Sequence, residues 1–317
     1  MTRHRVWTAL FAVTLVAVAV GLAAGAAGWR LDLLSGLLAG DEILTTLRAP
    51  RVLLGALTGA SLALAGVCMQ SVLRNDLADP YILGMAGGAS AAAVTSLALW
   101  PGLPPGPAAA AGAALAAGLV RTLGRRHHPS RLLLAGVAMS AILGSLTGLV
   151  LVLAPSERLL RSATYWLFGG FGTPALHDLV APALVLGLGL GLLLRRAERL
   201  DRFLLGDDVA TSLGTDPRSL RRLALGVGVV LTAVSVAAGG LIGFVGLVAP
   251  HAARRLLGSS HRALLPAAAL LGAPLVVFAD VAARTAFAPR EVPLGLVTAL
   301  VGGPFFLWQL NRSQLWT

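Results

Sequence analysis

Lysine is absent from this 317-residue sequence, and its 25 residues of the Lys and Arg classes are all arginine. The phosphate-binding loop of nucleotide-hydrolysing proteins requires a lysine directly after its glycine-rich turn. The absence of lysine excludes such a loop. Any process that this chain couples to nucleotide hydrolysis must therefore be driven by a separate subunit.

Cysteine is nearly absent as well. The single Cys68 lies inside an apolar run, which excludes an intramolecular disulfide and favours a small buried side chain. The six histidines show no metal-binding spacing, and we interpret them as solvated groups at helix ends and in loops. The sequence therefore predicts no metal site, no cofactor and no catalytic residues.

Charged residues make up only 12% of the chain, about half the share found in soluble domains. Hydrophobic residues make up 56%, and the mean hydropathy is +0.82. Too little polar surface remains to cover a water-soluble globule. The pattern predicts an all-α, polytopic membrane bundle with about ten transmembrane helices. These are centred on residues 7–27, 53–73, 83–99, 108–120, 132–153, 179–194, 223–238, 241–253, 264–283 and 294–310.

The formal net charge of +11 would suggest nucleic-acid binding in a soluble protein, but here the arginines lie between apolar runs. If the N-terminus is cytoplasmic, most arginines fall in loops on the cytoplasmic side, as the positive-inside rule requires. We therefore predict a lipid-embedded inner (plasma) membrane protein with both termini in the cytoplasm and no nucleic-acid partner. The first apolar run also resembles a cleavable signal peptide, but the following spans favour a retained helix.

No linker or soluble domain interrupts the sequence, so residues 1–317 are expected to form one membrane domain. Its most polar stretch is a predicted cytoplasmic loop at residues 195–222, which can hold a short helix bounded by glycines, with acids at its start and one apolar face. Such a helix suits either docking of a partner or a position on lipid headgroups. Its residues are Gly206, Asp207, Asp208, Val209, Ala210, Leu213 and Gly214.

Asp280 is the main ionisable residue inside the predicted spans, and it lies one helical turn before Arg284. Residues at i and i+4 share a helix face, so the two can form a structural ion pair. An acid within a membrane can also relay protons, which leaves a proton-coupled secondary transporter centred on Asp280 as an alternative function. A membrane-embedded enzyme is disfavoured, because the spans carry no paired acids, HExxH-type motif or nucleophile–base pair.

Several ordered blocks point to a known family. They are residues 48–51 (RAPR), 59–66 (GASLALAG), 74–80 (RNDLADP), 132–138 (LLLAGVA), 243–251 (GFVGLVAPH), 261–266 (HRALLP), 279–284 (ADVAAR) and 291–295 (EVPLG). From about Arg48 to the C-terminus, the chain resembles the FecCD-type permeases, the transmembrane subunits of importers for iron-siderophores, haem and cobalamin. The resemblance implies a ten-helix, non-catalytic homodimer around a central pathway. It also implies two cytoplasmic ATPase subunits and a periplasmic or lipid-anchored substrate-binding protein as partners.

The resemblance further assigns roles to particular residues. It places the ATPase contact in the loop before the seventh helix, which favours the coupling role for the short helix at 206–214. It makes Arg48, Arg51 and Arg284 the outer sites that receive acidic side chains of the binding protein, with interfacial anchoring or internal ion pairing as alternatives. The fifth helix lines the pathway, and the turn before it forms the inner gate, where Pro129 departs from the family pattern. The implied pathway and gate residues are Ser130, Ser140, Gly144 and Thr147.

The aromatic segment at residues 165–172 (YWLFGGFG) resembles the corresponding stretch of cobalamin permeases. Many siderophore permeases carry Gly-Ser where this chain has Gly169-Gly170. We therefore favour cobalamin as the cargo, followed by an iron-siderophore and then haem. The same segment is also typical of an aromatic belt at the membrane interface.

Overall fold

A computed structural model describes residues 3–25, 28–29, 36, 41–123, 129–154 and 156–313, with the backbone alone at residues 129–130 and 310–313. These residues contain helices and loops but no strand, which confirms the all-α bundle. The α-helices are α1 (Arg3–Ala23), α2 (Ala49–Leu73), α3 (Met85–Leu99), α4 (Pro105–Leu123), α5 (Pro129–Val152), α6 (Glu157–Leu167), α7 (Val180–Leu194), α8 (Ala197–Leu204), α9 (Asp207–Ser212), α10 (Pro217–Gly239), α11 (Val245–Leu257), α12 (His261–Thr285) and α13 (Leu294–Ser313). A π-helical turn (Ile43–Arg48) leads into α2, and two 3-10 turns (Pro80–Leu83 and Leu176–Leu179) precede α3 and α7.

Each of the ten expected spans overlaps a helix of the structure. In the described parts of the chain, seven helical stretches are long and apolar enough to cross a membrane, and two more apolar helices are shorter. The chain is thus a multi-pass membrane protein. The number of crossings and the side on which the termini lie stay predictions. The seven long stretches are Arg3–Ala23, Ile43–Leu73, Pro105–Leu123, Arg131–Val152, Leu176–Leu194, Pro217–Gly239 and His261–Thr285.

One expected boundary differs from the structure. The apolar run that begins at Leu241 becomes helical only at Val245, where α11 starts. Gly240 and Phe244 have φ angles of 68° and 67°, in the left-handed region. A right-handed helix cannot include such residues, so hydropathy alone placed the start of this span too early.

The central helix of the bundle is α2, which packs against α10, α11 and α12. Its closest contacts require glycine. A β-carbon on Gly59 would lie 2.2 Å from the carbonyl oxygen of Gly272, and one on Gly66 would lie 1.8 Å from that of Gly246. Small residues let the backbones approach closely where lipid supplies no hydrophobic driving force. Cys68 is buried on the same helix, as the sequence analysis expected.

Helix α5 contrasts with α2 because it lies at the periphery. It packs against α3 and α4 on one side. The rest of its surface presents large apolar side chains, which suits contact with lipid or with another protein chain. The exposed apolar residues of α5 are Leu134, Val137, Ile142, Leu146, Leu149 and Val152.

Candidate functional site

The short helix expected within the polar loop is α9, which lies between α8 and α10. Gly206 and Gly214 flank it with φ angles of 114° and 72°, which favour glycine. Val209 and Leu213 are exposed, whereas Ala210 is completely buried. The expected apolar face is therefore divided. Ala210 attaches α9 to the bundle, and the two larger side chains remain accessible to a partner.

Asp207, the first residue of α9, lies between two arginines in a set that we call the inner clamp (Arg74, Asp207 and Arg221). Arg74 donates from Nη2 to Asp207 Oδ1, and Arg221 donates from Nη2 to Asp207 Oδ2 at 3.1 Å. The two guanidinium carbons lie 4.7 and 5.5 Å from the ring centroid of the buried Phe203. The clamp therefore fixes the start of α9 to the end of α2 and to the first turns of α10, while Asp208 stays exposed.

A buried polar chain connects three helices next to the inner clamp. His261, at the start of α12, is only 1% exposed. Its Nδ1 lies 2.6 Å from Asp201 Oδ1 on α8, and its Nε2 lies 2.7 Å from Ser71 Oγ on α2. The interpretation of the histidines as solvated was therefore wrong for His261. Its partners lie 60 and 190 positions away in the sequence, so no local pattern indicates them.

The electrostatics of this region favour charged carboxylates. Partial burial raises the pKa of Asp207, but hydrogen bonds and charge from Arg74 and Arg221 outweigh it and hold the pKa below its ordinary value. Burial likewise raises the pKa of Asp201, and contacts with His261 outweigh it and lower the pKa. Both acids are therefore ionised at neutral pH, and both arrangements act as ion pairs or charge-assisted hydrogen bonds.

A second charged set, which we call the outer cluster, consists of Arg51, Asp280, Arg284 and Glu291. Asp280 accepts from Arg51 Nε and Nη2 at 3.2 and 3.0 Å, and its other oxygen lies 3.0 Å from Arg284 Nε. Glu291 accepts from Arg51 Nη1 and Nη2 at 3.3 and 3.0 Å. The expected pair of Asp280 and Arg284 is confirmed. Sequence reasoning gave Glu291 no role, although it is an acid close in sequence to an arginine on the arginine-poor side.

Arg48 and Arg284 also hold the end of α1. Arg48 donates from Nη1 to the carbonyls of Leu22 and Ala23 at 2.9 and 2.6 Å. Arg284 donates from Nη1 to the Ala24 carbonyl at 3.2 Å, and from Nη2 to the carbonyl three residues earlier, also at 3.2 Å. The last carbonyls of a helix lack partners within it, and cations are favourable at this negative end. Two of the three expected docking arginines are thus buried and engaged with backbone.

The residues expected to line a pathway do not share one surface of α5. Thr147 is buried, and its hydroxyl donates to the carbonyl four residues earlier at 2.9 Å. Ser140 lies against α3, since a β-carbon on Gly87 would lie 3.0 Å from its Cα. Gly144 is exposed with open space beside it. The Ser130 side chain lies outside the described residues. The pathway role of these four residues stays a prediction.

Comparison with known proteins identifies the family to which this chain belongs. The model of the FecCD transport family matches residues 10–312. The chain is 42% identical over 278 residues to the cobalamin import system permease protein BtuC of Halobacterium salinarum, which covers 86% of this chain and 74% of that protein. It is 42% identical over 297 residues to the Fe(3+) dicitrate transport system permease protein FecD of Escherichia coli, covering 90% and 91%. It is 40% identical over 284 residues to the hemin transport system permease protein HmuU of Yersinia pestis, covering 86% and 84%.

Solved structures agree with the sequence comparison. The chain superposes on a metal-chelate-type ABC transporter in an inward-facing conformation with a TM-score of 0.84 and 28% identity, covering 97% of this chain and 99% of that one. PsaBC from Streptococcus pneumoniae, at a TM-score of 0.56 and 18% identity, shares the fold. The chain belongs to the FecCD transport family, and it is a multi-pass membrane permease subunit of an ABC-type importer.

Proposed function

We propose that this subunit forms the path by which the importer moves a large metal chelate, with cobalamin as the first candidate, an iron-siderophore second and haem third. Three relatives named for cobalamin, ferric dicitrate and hemin are 40–42% identical to this chain, so what they share is a chelated metal as cargo. The preference for cobalamin depends on residues 165–172 alone.

That aromatic segment also has a structural role. The carbonyls of Phe168 and Gly169 accept hydrogen bonds at 2.8 Å from the backbone of Gly295 and Leu294, at the start of α13. The segment therefore joins α6 to α13. Uptake of labelled cyanocobalamin, a ferric siderophore and haem by proteoliposomes that hold the complete importer would rank the three. Failure to take up any of them would overturn the proposed cargo class.

Movement of the cargo is driven, in this proposal, by two separate ATPase subunits that bind α9. The accessible Val209 and Leu213 supply the apolar contact, and the inner clamp transmits its displacement to α2 and α10. Replacing both residues with Asp should abolish the ATPase activity that the binding protein stimulates. Leu256→Asp, at another exposed apolar residue on the predicted inner side, is the matched control. Unchanged stimulation in the double variant would remove α9 from the coupling role.

The importer is proposed to hold two copies of this chain, with the exposed face of α5 along the pathway between them. The support is the broad apolar surface of α5, which the described part of the chain leaves uncovered. A cysteine at Ile142 should form crosslinks between copies in the membrane. A cysteine at Leu115, on the exposed face of α4, should not. Cys68 is buried and does not interfere. Crosslinking at both positions, or at neither, would contradict this interface.

The outer cluster, together with Arg48, is proposed to receive acidic side chains of the substrate-binding protein. Arg51 is the docking arginine whose guanidinium lies nearest to the surface, since Arg48 and Arg284 are turned toward α1. Arg51→Glu should weaken binding of that protein to the importer in nanodiscs by more than tenfold. Arg161→Glu, on the exposed face of α6, is the matched charge reversal. Equal affinities for the two variants would move the docking site elsewhere.

A proton-coupled transporter centred on Asp280 is the second candidate. The outer cluster argues against it, because both carboxylate oxygens of Asp280 are engaged by guanidinium groups. Protonating the acid would leave Arg51 and Arg284 without their common buried counter-ion, which is costly. Uptake by vesicles that contain only this chain and a proton gradient would favour this second candidate. Uptake that requires ATP and the ATPase subunits would exclude it.

A further inference from the structure

The two carboxylates that bind Arg51 differ in their access to solvent. The Asp280 side chain is 4% exposed and also binds Arg284, whereas the Glu291 side chain is 31% exposed and binds Arg51 alone among the described residues. Arg51 itself is 11% exposed. Glu291 is therefore the outermost member of the outer cluster, and it covers the part of the Arg51 guanidinium that would otherwise face the medium.

The contact geometry makes Glu291 an exchangeable partner. Arg51 presents Nε and Nη2 to Asp280, and it presents Nη1 and Nη2 to the two oxygens of Glu291. A guanidinium matches a carboxylate through two parallel hydrogen bonds. The face that Glu291 occupies is thus a two-donor carboxylate site, in which Nη2 is shared with Asp280 and Nη1 also donates to the Gly172 carbonyl at 3.4 Å. An incoming Asp or Glu side chain would need the same two donors.

The backbone around Glu291 is held in place, so an exchange requires only rotation of a side chain. The residue after it, Val292, donates from its backbone nitrogen to the Ala283 carbonyl at 3.0 Å, and Leu294 donates to the Gly169 carbonyl at 2.8 Å. One residue before it, Arg290 donates to the Phe287 carbonyl at 2.9 Å. The Glu291 carboxylate is 31% exposed, so water can hydrate it when it leaves Arg51, and a partly exposed ion pair is weaker than a buried one. The Glu291 pair can therefore open at low cost.

We propose that Glu291 is an internal competitor, which occupies the Arg51 docking face until a carboxylate of the substrate-binding protein displaces it. This inference rests on the proposed docking at the outer cluster, and it adds a regulating element to that site. A competitor within the same chain lowers the affinity of every docking event by a constant factor. It also shields the buried Arg51–Asp280 pair when no binding protein is present.

The test measures the affinity of the importer in nanodiscs for its substrate-binding protein. Glu291→Gln keeps the size of the side chain and removes its charge, so the dissociation constant should fall about 2- to 5-fold. Glu291→Asp retains a carboxylate and should leave much of the competition in place. Glu157→Gln is the matched control, because Glu157 is also an exposed acid paired with an arginine, Arg161. The control should not change the affinity.

The dependence of the affinity on salt distinguishes competition by Glu291 from a purely structural effect of the substitution. The gain in affinity from Glu291→Gln should shrink as ionic strength rises, because ions screen an exposed pair over about 8 Å at physiological salt. Thermal unfolding of each variant checks that the fold is intact. Unchanged or weaker binding by Glu291→Gln would overturn the competitor role, provided that Arg51→Glu still weakens binding. If Arg51→Glu has no effect either, the docking proposal itself fails.

Discussion

The outer cluster and the inner clamp are built from the same parts in different surroundings. Each places one aspartate between two arginines: Asp280 between Arg51 and Arg284, and Asp207 between Arg74 and Arg221. The Asp280 side chain is 4% exposed, and the Asp207 side chain is 46% exposed. The two sets therefore share the same ion-pair chemistry. Burial decides whether such a set is a permanent part of the fold or a contact that can rearrange.

The difference follows from desolvation. A buried ion pair that loses one partner leaves an uncompensated charge in a poorly solvated site, whereas an exposed pair that opens is hydrated by water. The outer cluster should therefore behave as a rigid support with one exposed acid, Glu291. The inner clamp should hold α9 firmly enough to transmit a displacement, yet remain open to rearrangement.

The strongest test of this comparison is Asp280→Asn. The substitution leaves Arg51 and Arg284 without their shared buried counter-ion, and breaking such a pair costs about 3–5 kcal/mol. We expect a corresponding fall in the free energy of unfolding, measured by denaturant or thermal unfolding in detergent. Asp208→Asn, at an exposed acid, is the control and should change little. A loss below about 1 kcal/mol for Asp280→Asn would remove the distinction between the two sets.

The second-largest expected effect tests what sets the loss of stability when a polar contact is removed. It distinguishes burial of the contact from the side of the membrane on which it lies. His261→Ala removes the partner of the buried Ser71 and of Asp201 beside the inner clamp. Ser71 keeps its hydrogen bond to the Val67 carbonyl, and Asp201 keeps the one from Ser260, so the cost is the loss of the two imidazole contacts. A hydrogen bond to a charged group such as the Asp201 carboxylate contributes about 1.5–3 kcal/mol, and stability should fall by about that amount. His177→Ala, at an exposed histidine, is the matched control and should have no effect. Equal results for the two variants would contradict the structural role of His261.

Asp207→Asn should have a smaller effect on global stability, about 0–1 kcal/mol, because the three clamp side chains are between 34% and 46% exposed. The local effect should be clearer, since α9 loses its charged attachment to Arg74 and Arg221. We expect faster hydrogen exchange in α9, with unchanged exchange in the buried α2. A global loss as large as that of Asp280→Asn would show that exposure does not separate the two sets.

The smallest effect is a dependence on pH. The pKa of Asp207 is lowered in the folded state, so its contribution is present above the unfolded value of about 3.9 and is lost as pH falls through the folded pKa. A spin label at a cysteine introduced at Ser212 should report a fixed α9 from pH 7 down to about 4 and greater mobility below that. The same label in Asp207→Asn should show no such transition. Mobility that changes near pH 6 would point to another group.

Much of the architecture could be predicted from local patterns. Apolar runs of helical length indicated the membrane helices, because each run must satisfy its backbone hydrogen bonds within itself in lipid. Gly206 and Gly214 marked the limits of α9, because a bounding glycine can adopt the left-handed backbone. The pair of Asp280 and Arg284 could also be predicted, since residues four positions apart lie about one helical turn apart.

The residues that pair with one another in the site could not be predicted from local patterns. Asp280 and Arg51 are separated by 229 positions, and Asp207 and Arg74 by 133. No periodicity connects residues at such distances, so the expected docking role of three arginines gave no sign that Arg48 and Arg284 secure α1. The competitor Glu291 appeared in the sequence only as part of a family block.

The sequence by itself determined that this is a lysine-free, arginine-rich membrane bundle with one short amphipathic helix in its most polar loop. Those properties depend on composition and on neighbours within one or two helical turns. The tertiary structure decided which acids meet which arginines and which of those pairs are buried. It did so because glycine contacts such as Gly59 with Gly272 set how closely the helices approach, and only that approach brings distant charges within hydrogen-bonding distance.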